Sequence, residues 1–481
     1  MKLQEKVRTY LKEKGLPTDI ALAFPDVFIV GRKSEVNKRT DIKNLSAVLA
    51  GNVIINIPLV SANMLDVTDA RMAIALARLG GCGFIPQFDQ IESRIAAIKK
   101  VKRAESDVIE SPITITKDRT LQEARKIMQL ESISGLPVVD ADNKLLGILT
   151  TRDIVHEDNY LKKVGSIMTP MPLITGSPET IPEEAREIFR TKKIEKLPLI
   201  DKDGILRGLM TSKDVRKSQN AARDQNGRLI VGAAVGISNP ERAMKEIGAL
   251  LQAGADVILI DTARAFSERV KHLTRMAKKQ YNAPIIVGNV DCPEGALMLI
   301  NAGADGVKVG IGPGSACKTR VETGIGCPQL SAIAECVAIA REYNIPIIAD
   351  GGIRTDADLS KAICSGAHSV MLGSQFAGVE ESPGEKILDG GKIIKIYRGS
   401  ASIEAQVSRI DQGNLDRIRP SEGVPRRVEC SGGLDMVVKE MLGHLRSSMS
   451  YAGAFDLEQY RRDVKFKRQS AAGYEEGIPK K

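Results

Sequence analysis

The 481-residue sequence contains no Trp, and aromatic residues make up 4% of it. Proteins that bind single-stranded nucleic acid stack bases on Phe, Tyr or Trp, so this scarcity argues against a nucleic-acid partner. No apolar run approaches the roughly 20 residues of a membrane-spanning helix, so no membrane partner is expected. The N-terminal stretch MKLQEKVRTYLKEKG is charged and lacks the apolar core of a signal peptide. We therefore expect a cytoplasmic protein.

Cysteine pairs at metal-binding spacing are also missing. Seven Cys are scattered along the chain, with no Cys-x-x-Cys pair and no His at ligand spacing. A zinc site is therefore not expected. The odd number of Cys indicates reduced thiols, which agrees with the cytosol. The formal net charge of +9 is spread along the chain and favours anionic ligands only mildly.

The chain is long enough for two or more domains, and an internal repeat shows where they divide. With a shift of 61 residues, ITITKDRTLQEARKIM at 113–128 aligns on ITGSPETIPEEAREIF at 174–189. Without a gap, residues 136–140 align on 197–201, and residues 147–153 align on 208–214. Each copy has the pattern of a helix, a strand, a turn and a second strand.

These two copies resemble a tandem CBS pair, with motifs at 108–160 and 164–217. In that family the cleft between the copies binds adenine or guanine nucleotides, and a Thr/Ser-x-x-Asp ending holds ribose hydroxyls. Asp153 and Asp214 match this ending, so the resemblance implies a regulatory site for ATP or GTP. The alternative is that the same Thr or Asp side chains cap the following helix.

Short Val/Ile/Leu runs alternate with helical stretches on both sides of the repeat. Buried parallel strands have such runs, and their alternation with helices predicts an α/β fold, a (β/α)8 TIM barrel. Two runs precede the repeat and six follow it, so we expect the CBS pair (105–220) to be inserted between barrel segments 1–104 and 221–481. The second segment would include a flap and a C-terminal tail. The predicted strands are 57–61, 83–86, 229–235, 257–261, 284–287, 306–309, 346–350 and 369–373.

Active sites of such barrels lie at the carboxyl ends of the strands. The last two strands lead into Asp350-Gly-Gly352 and Gly373-Ser374, where exposed backbone N–H groups could hold a phosphate. The alternative is a pair of ordinary tight turns. A Gly-rich loop after the strand at 306–309 carries Cys317 beside Lys318 and Arg320. Positive charge nearby favours the thiolate, so Cys317 is the predicted nucleophile.

The loop sequence KVGIGPGSACKTRVETGIGCPQ at 308–329 resembles the catalytic loop of the IMP dehydrogenase/GMP reductase family. The agreement covers nearly the whole chain and includes residues 61–64, 261–263, 288–289, 348–352, 370–374 and 397–399. The resemblance implies that Cys317 attacks C2 of a purine nucleotide and that a hydride passes between C2 and a nicotinamide. It also implies a homotetramer or octamer.

The resemblance assigns further roles by matched position. Thr319 handles ammonia or water, and Glu404 lies one residue beyond the position of the acid that works with it. Glu404 could equally be a solvent-exposed helix residue. The implied substrate-binding residues are Met64, Ser315, Asp350, Gly352, Gly373, Ser374, Tyr397, Gly399 and Glu422, of which Glu422 reads purine N1. The implied cofactor residues are Asp261, Thr262, Asn289 and Gly310, and the carbonyls of Gly312, Gly314 and Cys317 match ligands of a monovalent cation such as potassium.

Within the family, the residues favour GMP reductase. Dehydrogenases carry a flap with an Arg-Tyr pair whose Arg activates water, whereas here Ile418 follows Arg417 and the flap is short. The stretch 419–423 resembles the corresponding stretch of GMP reductases, and the C-terminal tail resembles that of CBS-containing GMP reductases described in actinobacteria. We therefore expect NADPH-dependent conversion of GMP to IMP and ammonia in purine salvage. The alternative is oxidation of IMP to XMP with NAD.

Two other classes fit the sequence less well. A protein that only senses nucleotides would use the CBS pair and have no need of the Cys317 loop. A flavin-dependent barrel would share the phosphate site but would not need a Cys at this Gly spacing.

Overall fold

The computed structural model describes residues 2–104, 109, 112–131, 133–155, 157–212, 220–402, 406 and 420–479. Its contacts divide the chain into two compact units. One unit is made of Met1–Lys102 with Gln219–Lys481, and the other is Arg103–Ser218. Among the helices in the described ranges, none has the length and apolar character needed to cross a membrane.

The first unit contains a closed barrel of eight strands, each pairing in parallel with its neighbours. The predicted TIM barrel is therefore confirmed, and each predicted run overlaps one strand. Val, Ile, Leu and Ala dominate the strands because both faces are buried, one in the barrel interior and one under helices. The strands are β1 Leu59–Ser61, β2 Cys82–Ile85, β3 Val231–Val235, β4 Val257–Asp261, β5 Ile285–Val290, β6 Gly306–Val309, β7 Ile347–Asp350 and β8 Ser369–Leu372.

A helix follows each strand and covers the barrel. Side chains that favour helix starts accept the first free N–H groups: Asp69 from Met72, and Asn239 from Arg242 just before Pro240. The helices are α1 Ala70–Arg78, α2 Ile91–Arg103, α3 Pro240–Gln252, α4 Glu268–Gln280, α5 Pro293–Asn301, α6 Gln329–Ala340, α7 Asp356–Cys364 and α8 Leu434–Tyr451.

Smaller elements complete this unit. An antiparallel sheet of Lys386–Asp389, Lys392–Arg398 and Pro425–Glu429 pairs Arg398 with Pro425. This register brings the chain before residue 425 back beside residue 399, close to the end of the barrel that carries Cys317. The other strands are Val27–Ile29, Phe466–Arg468, Ala47–Ala50 and Val53–Ile55; the other helices are Leu3–Glu13, Phe24–Asp26, Arg39–Asp41, Thr319–Thr323, Arg341–Tyr343, Ser374–Ala377, Leu457–Asp463 and Ala471–Glu476.

The second unit contains the repeat as two similar modules. Helices Leu121–Glu131 and Pro182–Lys192 begin 61 residues apart, as do strands Gly135–Val139 and Lys196–Ile200, and strands Leu145–Thr150 and Leu206–Thr211. Val139, Leu145 and Leu206 pack in one buried cluster, so the modules share a core. The remaining elements are Ile115–Thr116, Thr151–Ile154, Val164–Ser166 and Thr169–Pro170.

The partly buried His368, just before β8, makes folding stability sensitive to acid. Burial, with a smaller contribution from Arg461, lowers the pKa of His368 from 6.5 to about 3. The unfolded chain takes up a proton near pH 6.5 that the folded protein resists. The stability that this group contributes is therefore present above pH 6.5 and is lost as the pH falls toward 3.

We expect His368→Asn to reduce the drop in thermal midpoint between about pH 7.5 and about pH 5. The Asn oxygen can replace Nδ1, which accepts a hydrogen bond from the Ile347 N–H at 3.3 Å. The exposed His272 on α4 provides the control, since His272→Asn should leave the drop unchanged. The thermal midpoints are measured by calorimetry. Equal drops in the wild-type protein and in both variants would contradict this account.

Candidate active site

The candidate site lies at the carboxyl ends of β4 to β8, where the loops carrying the predicted residues meet. Gly310 begins the loop after β6 with a φ of +147°, and an added Cβ would lie 2.1 Å from the carbonyl oxygen of Asp350. Only Gly allows the two loops to approach this closely. Gly351 and Gly352, both with a φ of +81°, bring the loop after β7 against Pro313.

Cys317 is the exposed member of the seven cysteines and belongs to this loop. Its backbone N–H donates to the Gly314 carbonyl at 3.0 Å. The backbone of Cys317 pairs as an antiparallel bridge with Gly423, and Val424 N donates to the Ala316 carbonyl at 3.0 Å. The segment that returns at residues 422–424 therefore supports the backbone on both sides of the thiol.

A chain of hydrogen bonds connects the thiol to a carboxylate. Cys317 Sγ lies 3.2 Å from Thr319 Oγ1, and Thr319 Oγ1 donates to Glu422 Oε2 at 2.7 Å. The Lys318 N–H donates to the Glu422 carbonyl at 2.7 Å, which fixes the backbone of Glu422. A carboxylate that accepts a hydroxyl hydrogen bond leaves the hydroxyl oxygen free to accept another proton. The arrangement can therefore move a proton from an atom beside Cys317 to Glu422.

A second network lies deeper, around the side chain of Lys308 on β6. Lys308 Nζ contacts Asp261 Oδ1 at 2.9 Å, Asn289 Oδ1 at 2.5 Å and Asp350 Oδ2. Asn289 Nδ2 donates to Asp350 Oδ2 at 2.9 Å, and Asn63 Nδ2 donates to Asp261 Oδ2 at 3.0 Å. Burial lowers the pKa of Lys308, but Asp261 and Asp350 outweigh burial and raise it above its usual value. Lys308 therefore stays charged and holds both carboxylates.

The residues predicted to bind phosphate include a buried polar atom without a partner. Ser315 Oγ is shielded from solvent and has no hydrogen-bond partner. A buried hydroxyl in this state is costly unless a ligand satisfies it. The loop of Ser315 is the one that contacts Gly351 and Gly352, so this hydroxyl lies in a loop that packs against the backbone of the loop after β7.

Met64, Gly373 and Tyr397 form a third cluster. Tyr397 Oη lies 3.5 Å from Met64 Sδ, and a Cβ on Gly373 would lie 2.6 Å from Tyr397 Oη. Burial, together with Asp350 and Cys317, raises the pKa of Tyr397, so its hydroxyl stays protonated. The next residue, Arg398, donates to both oxygens of the buried Asp66. This ion pair fixes the segment that leads to Gly399.

Gly399 and Thr262 are tied to the same loops by backbone contacts. Gly399 N donates to the Val424 carbonyl at 3.2 Å, and a Cβ on Gly399 would lie 2.5 Å from the Ala316 carbonyl oxygen. Thr262 N donates to the Gly288 carbonyl at 2.9 Å, and Asn289 N donates to the Thr262 carbonyl at 2.9 Å, which joins the ends of β4 and β5. The predicted barrel residues that the structure describes thus share one end of the barrel.

The remaining predicted residues are Glu404, Asp214 and Asp153. Glu404 and Asp214 lie outside the described residues, as does the Arg417-Ile418 pair. Asp153 belongs to the second unit, where its Oδ2 accepts from Thr150 N at 2.7 Å and Thr150 Oγ1 at 2.8 Å. This is the helix-capping arrangement that the sequence left as the alternative.

The two cations beside Cys317 have other partners. Lys318 pairs with Glu322 at 3.7 Å. Arg320 Nε donates to the Ile311 carbonyl at 2.8 Å, and its Nη2 donates to the Cys327 carbonyl. Arg320 therefore braces the loop from the inside.

Sequence reasoning missed Lys308 and Gln87. The run GVKV at 306–309 predicts a buried strand, but the charge of Lys308 inside such a strand also indicates a buried partner. Gln87, after β2, places Nε2 3.5 Å from Asp261 Oδ2, and its buried Oε1 has no partner. No local pattern marks Gln87, because its neighbour Asp261 lies 174 residues away in the chain.

A comparison with protein families matches residues 21–480 to the IMP dehydrogenase / GMP reductase domain. The chain belongs to this family. It is an oxidoreductase of the IMP dehydrogenase/GMP reductase type. The family uses nicotinamide cofactors and acts on purine nucleotides. Inosine-5'-monophosphate dehydrogenase from Aquifex aeolicus (strain VF5) is 46% identical over 466 residues, which cover 95% of this chain and 94% of that protein.

Two solved structures are also similar to this chain. A variant of GMP reductase from Trypanosoma brucei in complex with guanosine 5'-monophosphate has a TM-score of 0.89 and 38% identity, covering 96% of this chain and 98% of that one. GMP reductase from the same organism in complex with guanosine 5'-triphosphate has a TM-score of 0.80 and 35% identity, covering 95% and 99%.

The expectation of GMP reductase activity is wrong. Relatives between 41% and 46% identical over 95% of this chain are IMP dehydrogenases, from Aquifex, Helicobacter, Bacillus and others, and the actinobacterial affinity is not borne out either. The expectation treated the missing Arg-Tyr pair as a loss of water activation. In the structure, Thr319, next to Cys317, donates a hydrogen bond to the Glu422 carboxylate. The expectation of NADPH, which depended on the reductase direction, loses its basis.

Proposed function

We propose that the chain is an IMP dehydrogenase, which converts IMP, NAD and water to XMP, NADH and a proton. The observation that carries this proposal is the hydrogen-bond chain from Cys317 through Thr319 to Glu422. Hydrolysis of a covalent intermediate needs a base beside the thiol, and this series of hydrogen bonds ends in the Glu422 carboxylate. The IMP dehydrogenase names of relatives up to 46% identical support the same direction.

In the first half of the reaction, Cys317 Sγ bonds to C2 of IMP and the thiol proton is released. The C2 hydrogen then leaves with its electron pair as a hydride, and the nucleotide remains joined to Sγ as a thioimidate. NAD, when bound, supplies the hydride acceptor. The covalent bond is useful because it turns one difficult step into two easier ones.

In the second half, water adds to C2 and the C2–Sγ bond breaks. The water oxygen becomes the new C2 carbonyl of XMP, one water proton ends on N3 and the other restores the thiol. We assign the transient acceptance of the first proton to Thr319, which passes its own proton to Glu422. Glu422 thereby takes a role different from reading purine N1.

The nucleotide subsite uses the loops after β6, β7 and β8. Ser315 Oγ, with no partner of its own, would donate to the phosphate together with backbone N–H groups at Gly352, Gly373 and Ser374. Asn289 and Lys308 both donate to Oδ2 of the Asp350 carboxylate. Its Oδ1 is then available to accept both ribose hydroxyls. Met64, Tyr397 and Gly399 would line the base.

The NAD subsite fits the residues around Asp261. The unpartnered Oε1 of Gln87 offers an acceptor for a carboxamide N–H, and the Asp261 carboxylate offers acceptors for ribose hydroxyls. Thr262, Asn289 and Gly310 complete this side. The carbonyls of Gly312, Gly314 and Cys317 would hold a monovalent cation such as potassium, for which neutral oxygen donors are suitable. The Gly314 carbonyl uses one lone pair on Cys317 N–H and keeps the other.

The second unit is proposed to be a regulatory CBS pair that binds ATP or GTP. Its two modules, offset by 61 residues and sharing a core, support an internally symmetric nucleotide site. Asp153 keeps its Oδ1 for a ribose while Oδ2 caps the helix.

The proposed activity predicts NADH formation from IMP and NAD, measured by reduced-nicotinamide absorbance, with XMP identified by chromatography. When the reaction runs in water labelled with a heavy oxygen isotope, XMP should gain one labelled oxygen, because its C2 carbonyl oxygen comes from the solvent. GMP with NADPH should give no sustained oxidation of the cofactor. Absence of XMP, or XMP without the label, would contradict the proposal. Adding ATP or GTP to the same assay tests regulation by the second unit.

A further inference from the structure

Lys308 occupies a position that the proposed reaction does not yet explain. Its side chain is 3% exposed and touches the carboxylates of Asp261 on β4 and Asp350 on β7. Under the proposed function, Asp261 faces the NAD subsite and Asp350 faces the ribose of IMP. A single ammonium group therefore connects the residues that bind the two substrates.

The geometry makes this connection rigid. Asn289 accepts from Lys308 Nζ at 2.5 Å and donates to Asp350 Oδ2 at 2.9 Å, closing a small ring of hydrogen bonds. On the other side, Asn63 donates to Asp261 Oδ2 at 3.0 Å. Buried charges are tolerated only with such complete pairing, and moving one partner changes the bonds of the others.

We propose that Lys308 is a positioning residue shared by the IMP and NAD subsites, so that its charge sets the orientation of both acceptor carboxylates. This inference rests on the proposed function for the identity of the two substrates. Without Lys308, Asp261 and Asp350 would repel each other and turn away from the hydroxyls that they bind. Both subsites should therefore weaken together.

Lys102 provides a matched control at the opposite end of the barrel. Its Nζ bridges Asp224 Oδ2 at 3.1 Å and Asp256 Oδ2 at 2.5 Å, and its side chain is 6% exposed. Asp256 directly precedes β4, whereas Asp261 ends it. The two lysines thus have the same chemistry and burial, but only Lys308 lies at the catalytic end.

We expect Lys308→Met to raise KM for IMP and KM for NAD by about tenfold or more each, as the loss of charge-assisted bonds implies. Lys102→Met should lower the thermal midpoint by about as much as Lys308→Met does, but it should leave both KM values within about twofold of the wild type. The rate of Cys317 alkylation by iodoacetamide without ligands should be unchanged in both variants. An increase in one KM only, or equal changes in both variants, would overturn the proposal.

Equilibrium binding separates this proposal from the proposed function. IMP titrated into Cys317→Ala protein reports the nucleotide subsite without turnover, and adding Lys308→Met should weaken IMP binding about tenfold. If Lys308→Met does not fold, the Asp261→Asn variant tests whether Lys308 connects the two subsites. Lys308 would then pair with Asp350 alone and neutralise it more fully, so IMP binding should weaken by about threefold or more. Unchanged IMP affinity in Asp261→Asn would refute the connection, whatever reaction the enzyme catalyses.

Discussion

Replacing Cys317 by Ala is expected to lower kcat for NADH formation from IMP by at least about 1,000-fold, because the proposed reaction passes through a bond between Cys317 and C2. IMP should still bind, since the proposed phosphate and ribose contacts come from other residues. The variant should therefore show normal binding in a calorimetric titration and almost no turnover. Retention of more than a few per cent of activity would contradict covalent catalysis by this residue.

Cys327 gives a control on the same loop. Burial raises the pKa of Cys327 to about 12, so its thiol stays protonated and inert. Its carbonyl, not its sulfur, is the group that Arg320 holds. Cys327→Ala should keep nearly full activity, and iodoacetamide should modify Cys317 first because it is the exposed cysteine. Protection of Cys317 by IMP would locate the nucleotide over the thiol.

The barrel could be predicted from sequence because its strands carry their own signal. The run VILID at Val257–Asp261 matches β4 at both ends, and SVML falls within the predicted run for β8. Strands buried on both faces have no polar alternation to disguise them. Because Cys317 follows β6 and Asp350 ends β7, the sequence also predicts that both lie at the same end of the barrel, without any knowledge of side-chain contacts.

The connections between loops could not be predicted in the same way. Thr319 and Glu422 are 103 residues apart, and no local pattern shows that they form a hydrogen bond. The family resemblance implies that Glu422 contacts the purine, and the missing Arg-Tyr pair by itself does not determine the direction of the reaction. Lys308 is a different case, since the apolar residues around it correctly predict a strand but do not indicate which carboxylates its charge contacts.

Glu422→Gln is expected to lower steady-state kcat by about 100-fold or more, the usual range for removing a general base. The Gln oxygen can still accept from Thr319, so the hydrogen bond and the loop should survive while the proton acceptor is lost. Hydride transfer itself delivers no proton to Glu422, and the thiol of the exposed Cys317 can release its proton to solvent. A rapid burst of NADH equal to the number of active sites should therefore precede a slow steady state, and the trapped thioimidate should appear as added mass on Cys317.

The size of the burst distinguishes the two roles of Glu422. If Glu422 only read purine N1, KM for IMP would rise and the burst would shrink with kcat, because binding and hydride transfer would suffer first. Glu322→Gln is the matched control, since this exposed carboxylate on the same loop pairs with Lys318 and not with Thr319. It should leave both the burst and kcat unchanged. A full burst in Glu422→Gln with the normal KM for IMP would assign Glu422 to hydrolysis, because only the step after NADH formation would then have been slowed.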